Sequence, residues 1–255
     1  MKIGAQLFTL RDSCKTVEDL EKTLERVAAM GYSAVQLSGI CEYDPVWMRD
    51  TLKKYNLVAP ITHTNPQKVL EETDKVIADH KAFGCENVGI GGMPVEYRGS
   101  AEALAKFAPD FSQAAKKIKD AGLKLCYHNH AFEFRKFGGK TIMQTIIDDF
   151  DPSVLNFTLD TYWVQAGGGD AAQWLEKLAG RVDCIHFKDM VHDGTQPLFA
   201  PIYEGNMNFD AIIASAYKAG VKYAFVELDN CYGADPFESL KISFDNVVSR
   251  YPDMA

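Results

Sequence analysis

Four glycines constrain this chain more than any other feature. Met30-Gly31-Tyr32, Phe83-Gly84-Cys85, Ala121-Gly122-Leu123 and Ala219-Gly220-Val221 share one form: a helix-like stretch ends on glycine and a strand-like run begins at once. Glycine just past a helix closes the last turn in a left-handed conformation, and a strand directly after it is the short αβ connection of a parallel sheet. A joint repeated in this way predicts βα units wound in one direction.

The remaining punctuation agrees. Thr16 with Asp19 three residues on predicts a capping box before Val17, Leu20, Leu24 and Val27, while Asp44-Pro45 and Asn65-Pro66 place an N-cap ahead of a proline at the first helical position. Apolar runs predict strands at about 2–8, 34–37, 57–63, 87–90, 123–128, 154–160, 182–186 and 223–227, with helices between them. Three further expectations are specific. Residues 66–84 form one helix, Pro109 kinks or breaks a helix over 100–121, and 188–208 is a long loop. Eight units with no break in composition predict an α/β fold, a single (β/α)8 TIM barrel forming one domain over residues 1–255, a length close to the roughly 250 residues usual for that fold. The rival doubly wound sheet needs a GxGxxG turn after an early strand. None occurs: Gly89 to Gly92 is read as a turn and Gly167 to Gly169 as a flexible active-site loop.

Charge narrows the partners. A net charge of −8 disfavours a phosphate backbone or an anionic membrane surface, so neither nucleic acid nor membrane is expected. The chain lacks a basic leader and a run of about 18 apolar residues, which predicts a cytoplasmic location. Its 6 cysteines form no CxxC pair, and Cys126 and Cys184 fall in strands, so free packed thiols are expected rather than disulfides or a cysteine zinc site.

Barrel enzymes place their chemistry at the carboxyl ends of the strands. Here those ends carry Gln6, Gln36 and His63, then His128, His130 and Glu133, then Asp160, His186 with Lys188, and Glu227 with Asp229. Glu133, Asp160, His186 and Glu227 together suit one divalent cation, Mn2+, Co2+, Mg2+ or Zn2+. Each also has a plainer reading. His63 or His186 alone is more often a hydrogen-bonded structural histidine, and Asp160 before Thr161 suits a turn cap. Glu227, after Tyr223-Ala224-Phe225-Val226, is the hardest to explain away, because a buried carboxylate needs a partner. Trp163 and Phe8 are expected to pack, Arg135 to be solvated, Lys188 to be either solvated or on substrate, and His80 and His192 to lie on the surface.

These strand ends resemble the xylose isomerase-like barrel superfamily, in particular its sugar phosphate isomerase/epimerase group with the ketose 3-epimerases and inosose dehydratase. The carriers are residues 4–12, Tyr127 to Phe134, Leu159 to Trp163, Ile185 to Asp189 and Val226 to Asp229. The resemblance implies a Glu, Asp, His, Glu metal quartet, matched here by Asp160, His186 and Glu227. Ketose epimerases carry the first glutamate at the fifth strand's end, where this chain has His128-Asn129-His130, with Glu133 beyond as the expected first ligand and His128 or His130 as the alternative ligand or base. The chemistry implied is proton abstraction next to a carbonyl through a metal-stabilised enediolate. The leading expectation is an isomerase or epimerase of a non-phosphorylated sugar. Glu133, Glu227 and His130 would act in catalysis, with Gln6, His63, His128, Trp163 and Lys188 around the substrate. A lyase on a keto-sugar or keto-inositol is the alternative; a non-catalytic sugar-binding barrel and an abasic-site endonuclease rank lower. A homo-oligomer is left open.

Overall fold

The computed structural model describes residues 1–255. Its eight main strands are β1 (Lys2–Gln6), β2 (Ala34–Leu37), β3 (Val58–Thr62), β4 (Asn87–Ile90), β5 (Lys124–His128), β6 (Leu155–Asp160), β7 (Cys184–Phe187) and β8 (Tyr223–Val226). They pair in parallel and in sequence order, and β8 closes on β1 with Lys2 opposite Tyr223. The fold is the expected (β/α)8 TIM barrel. Inside it, Phe225 packs with Ala34, Ile61, Cys126 and Cys184. Gly4 of β1 makes room, since a Cβ there would come within 2.6 Å of the Phe225 ring. This layer is the apolar floor below the polar strand ends.

The local signals hold where side chains satisfy backbone donors. Thr16 accepts the Asp19 amide at 3.1 Å, and Asp44 accepts those of Val46 and Trp47 at 2.9 Å each. The four joint glycines all have positive φ, from 77° to 108°. All 6 cysteines are free, and no helix is long and apolar enough to cross a membrane.

Several expectations give way to local chemistry. The first strand stops at Gln6, whose side chain accepts the Phe8 amide at 2.7 Å and opens a 3-10 helix, Leu7–Ser13. The helix expected over 66–84 is two, Pro66–Glu71 and Thr73–Phe83. Between them Glu72 is non-helical, and the Thr73 hydroxyl donates back to the Val69 carbonyl. The helix expected over 100–121 is broken in two as Pro109 predicts: the proline cannot bond back to the Ala105 carbonyl, the interruption falls at Ala105 and Lys106, and Pro109 itself sits in the first turn of Phe107–Asp120, where its missing N–H is not needed. The loop over 188–208 contains an antiparallel hairpin, Asp189–His192 with Pro197–Ala200. The buried Asp189 carboxylate anchors that segment by accepting the amides of Met190, Tyr203, Gly205 and Met207 at 2.7–3.2 Å. Gly167 is packed rather than loose, since a Cβ there would lie 2.3 Å from Phe134.

Candidate metal centre

Above the apolar floor, β5, β6, β7 and the residue after β8 point His128, Asp160, His186 and Glu227 at one another. One ligand atom from each lies within 4.8 Å of all the others. The register explains part of this, because Asp160 and His186 are directly paired across β6 and β7. All four residues are buried.

Their partners fix which atoms face inward. The His128 Nδ1 lies 3.1 Å from the Gly91 carbonyl and the His186 Nε2 lies 2.7 Å from Gln36 Oε1. Both oxygens only accept, so these nitrogens carry the hydrogens and the opposite nitrogens present lone pairs. Those lone pairs face carboxylates: His128 Nε2 is 3.2 Å from Asp160 Oδ2, and His186 Nδ1 is 2.9 Å from Glu227 Oε2 and 3.5 Å from Asp160 Oδ2. An acceptor set against an acceptor in a buried site requires a positive charge between them. His186 is pushed towards holding a proton, with burial opposing it and Glu227, then Asp160, prevailing. A metal ion would answer the same field.

Asp160 does two jobs, one per oxygen. Oδ1 accepts the Trp163 amide at 3.0 Å and caps the helix Thr161–Ala166, while Oδ2 faces the imidazoles. The turn-cap expectation holds through Oδ1, while Oδ2 remains turned into the cluster. Its backbone amide donates to Asn129 Oδ1 at 3.0 Å, and Gln6 Nε2 donates to Glu227 Oε1 at 3.0 Å. Gln6 therefore supports Glu227 from below rather than lining open space.

Lys188 is 1% exposed, which excludes the solvated reading. Its Nζ meets Asp160 Oδ2 at 3.2 Å, Glu227 Oε2 at 3.1 Å and Asp229 Oδ1 at 2.8 Å. Burial raises Asp229 to about 6, and the charge on Glu227 adds to the rise; Lys188 holds Asp160 well below the carboxylate range against the same burial. Three carboxylates against one ammonium leave two negative charges in excess, the charge a divalent cation balances.

Glu133 is not in the cluster. Its Oε1 accepts the Tyr127 hydroxyl at 2.6 Å and its Oε2 accepts the His130 amide at 2.8 Å, which ties down the turn Ala131–Phe134. His128 stands with Asp160, His186 and Glu227 instead. Burial lifts the Glu133 carboxyl from its ordinary 4.5 to about 8, against the Tyr127 and His130 hydrogen bonds. The native state then binds one proton more than the unfolded chain across that window, so this group's contribution to stability falls as pH rises from 4.5 to about 8. Urea unfolding across this range should show wild-type stability falling relative to Glu133→Gln, the difference flattening above about 8. Parallel profiles would refute the buried-acid assignment.

Around the cluster, polar atoms of His63 (Nε2), His130 (Nδ1) and Trp163 (Nε1) are buried without a partner. The His63 and His130 rings lie 5.0 and 4.8 Å from that of His128. Trp163 also lies 5.5 Å from Lys188 Nζ across its ring face, so it packs and keeps a free N–H. His80, expected on the surface, is buried at 4% exposure, held between the Thr62 hydroxyl at 2.9 Å and the Val76 carbonyl at 2.7 Å. Arg135 and His192 are exposed. The supports Gln36, Asn129 and Ser38 were not given roles from sequence; for Gln36 the signal was its place at a strand end.

A parallel barrel with a buried acid and imidazole constellation at its carboxyl mouth defines a class of (β/α)8 proteins that carry their chemistry at the strand ends. Within it, the chain belongs to the xylose isomerase-like TIM barrel family, whose model matches residues 42–230. It is 23% identical over 201 residues to the inosose dehydratase of Geobacillus kaustophilus, covering 68% of this chain and 63% of that protein, so it spans less than two thirds of that relative's length. Among solved structures, a sugar phosphate isomerase/epimerase from Parabacteroides distasonis superposes with a TM-score of 0.80 at 23% identity, covering 100% of this chain and 95% of that one. An L-ribulose 3-epimerase superposes at 0.74 with 16% identity, covering 100% and 96%. At these identities the structural likeness speaks for the fold.

Proposed function

We propose that this protein is a divalent-metal-dependent enzyme that removes a proton next to the carbonyl of a non-phosphorylated sugar or cyclic polyol and then expels a β-oxygen substituent, a lyase or dehydratase. The observation that carries the metal is the set of inward lone pairs and the two surplus negative charges. His128 Nε2, Asp160 Oδ2, His186 Nδ1 and Glu227 Oε2 would hold the ion. Two imidazoles in the set favour Mn2+, Co2+ or Zn2+ over Mg2+, which prefers oxygen. When bound, the ion supplies Lewis acidity for a substrate carbonyl.

The remaining groups divide the work. His130, which burial pushes below the ordinary imidazole range and keeps neutral, is placed as the base by geometry: its ring lies 4.8 Å from that of His128 and its Nδ1 is buried without a partner. The proton passes from carbon to that nitrogen, the C–H electron pair forms a C=C bond to the carbonyl carbon and the C=O π pair moves onto the carbonyl oxygen. As that pair returns to re-form C=O, the C=C pair shifts to the α–β bond, and the β-oxygen departs with its own bonding pair and takes the proton from the imidazolium. Elimination takes precedence over the isomerase or epimerase outcome because Glu133 is turned away, leaving one glutamate, Glu227, at the cluster where the ketose epimerase pattern needs two. The name of the 23% identical relative, inosose dehydratase, points the same way. A neutral substrate fits the nearby cations, all of which are already engaged. Lys188 is held by carboxylates, Arg98 donates to the Met93 carbonyl, and Arg11 donates to the carbonyls of Phe8 and Asp229.

The test is mass spectrometry after incubating the Mn2+-loaded protein with an inosose and a panel of ketohexoses. A product lighter by one water supports elimination. An isomer of unchanged mass replaces it with the isomerase/epimerase reading, and no turnover of any of these probes counts against both.

A further inference from the structure

Strand β4 brings no polar side chain to the mouth, yet the two residues after it, Gly91 and Gly92, touch three imidazoles. The Gly91 carbonyl accepts His128 Nδ1 at 3.1 Å. A Cβ on Gly91 would stand 3.2 Å from His63 Nδ1 and 3.4 Å from its Cγ, and a Cβ on Gly92 would stand 3.0 Å from His130 Cε1 and 3.2 Å from its Nδ1. Gly92 also has φ +151°, which side chains rarely adopt. Each glycine backs a different ring, and each of those rings has a buried nitrogen without a partner.

His63 is held from a second side. Ser38 Oγ lies 3.1 Å from His63 Nδ1, leaving Nε2 as the free nitrogen. His63, Gly91 and Gly92 also line one open cavity of about 640 Å³ with Thr64, Asn65 and Arg98, on the side of His63 away from His130 and the four-residue cluster, neither of which lines it.

We propose that Gly91 and Gly92 are positioning residues with separate routes to the substrate: Gly91 seats His63 to hydrogen-bond a substrate oxygen, and Gly92 seats His130 for proton transfer. This rests on the function proposed above for the same site. It explains why the end of β4 is glycine when neighbouring strand ends are polar: any side chain there would displace a ring the site uses. The physical lever is placement: a Cβ at these distances makes the ring give by a few tenths of an ångström, a fraction of the roughly 1 Å misplacement that costs up to about 100-fold in rate.

The two routes separate kinetically. With Mn2+-loaded protein and the turned-over probe in D2O, Gly92→Ala should lower kcat and substrate deuterium exchange about tenfold or more. Gly91→Ala should raise KM about fivefold and lower kcat by less than Gly92→Ala does, since the carbonyl that holds His128 Nδ1 is retained. Double-mutant cycles then decide. In a His130→Asn background Gly92→Ala should cost little more, and in a His63→Asn background Gly91→Ala should cost little more, while the crossed pairs add. Equal costs in either background, or loss of Mn2+-induced thermal stabilisation in both alanine variants, would overturn the assignment. If either alanine variant fails to fold, the His63→Asn and His130→Asn variants carry the same KM-against-kcat comparison, and a single shared kinetic defect in the two would overturn it. A wild-type protein that exchanges no deuterium with any probe refutes instead the function on which this inference rests.

Discussion

Glu227→Gln should leave a folded protein with at most about one thousandth of wild-type activity, because a Lewis acid contributes several kcal/mol to the barrier and about 4 kcal/mol is a thousandfold. The substitution keeps the side chain's size and the contact from Gln6, 3.0 Å from Oε1. What it removes is the negative charge on Oε2, the atom 2.9 Å from His186 Nδ1 and 3.1 Å from Lys188 Nζ. Divalent cation binding should fail with it. For wild-type protein, Mn2+ at 100 times its dissociation constant adds about 2.7 kcal/mol to native-state stability, visible as a rise in Tm, whereas the variant should show almost none. Chelation of the wild-type protein should reproduce the activity loss and be reversed by adding metal back. Activity within tenfold of wild type in the variant, or indifference of the wild type to chelator, would sink the metal reading.

The barrel was legible in the sequence because its signals are local. A glycine past a helix and a proline after Asp44 or Asn65 act within one turn, and burial does not overrule them. The failures are places where one side chain redirected the backbone. The Gln6 amide ended β1 early, the Thr73 hydroxyl divided a helix, and the Asp189 carboxylate gathered four amides and ordered a segment with no periodicity. None of these has a pattern that spacing can reveal.

Within the site, the residues brought by adjacent strand ends were legible, and the one beyond the strand was not. Asp160 and His186 are register partners, so counting along strands finds both. Glu133 follows β5 by five residues, and a 3-10 turn swings it onto Tyr127 and the His130 amide. The strand's own last residue, His128, reaches the cluster in its place. Chemistry type alone favoured the glutamate; geometry favours the residue still held by the sheet. Gly91 and Gly92 were read from sequence only as a turn for a related reason, since what they provide is the absence of a side chain.

Lys188→Met should destabilise the metal-free protein by about 3–5 kcal/mol, the cost of leaving buried charges without their partner. Methionine fills a similar length, and the ammonium it replaces lies 5.5 and 5.6 Å from the ring centres of Trp163 and Phe199, so lost packing contributes little. The cost arises because Asp160, Glu227 and Asp229, which meet the ammonium at 2.8–3.2 Å, are left facing one another. In a chain of this size that corresponds to a fall in Tm on the order of 10 °C. Saturating Mn2+ should recover more stability in this variant than it adds to wild type, because the ion would be the only cation left near Asp160 Oδ2 and Glu227 Oε2. Thermal unfolding of both proteins with and without Mn2+ measures that difference. A metal-free variant as stable as wild type would show that the three carboxylates do not share charge with Lys188, and the charge balance that argues for a divalent ion would fall with it.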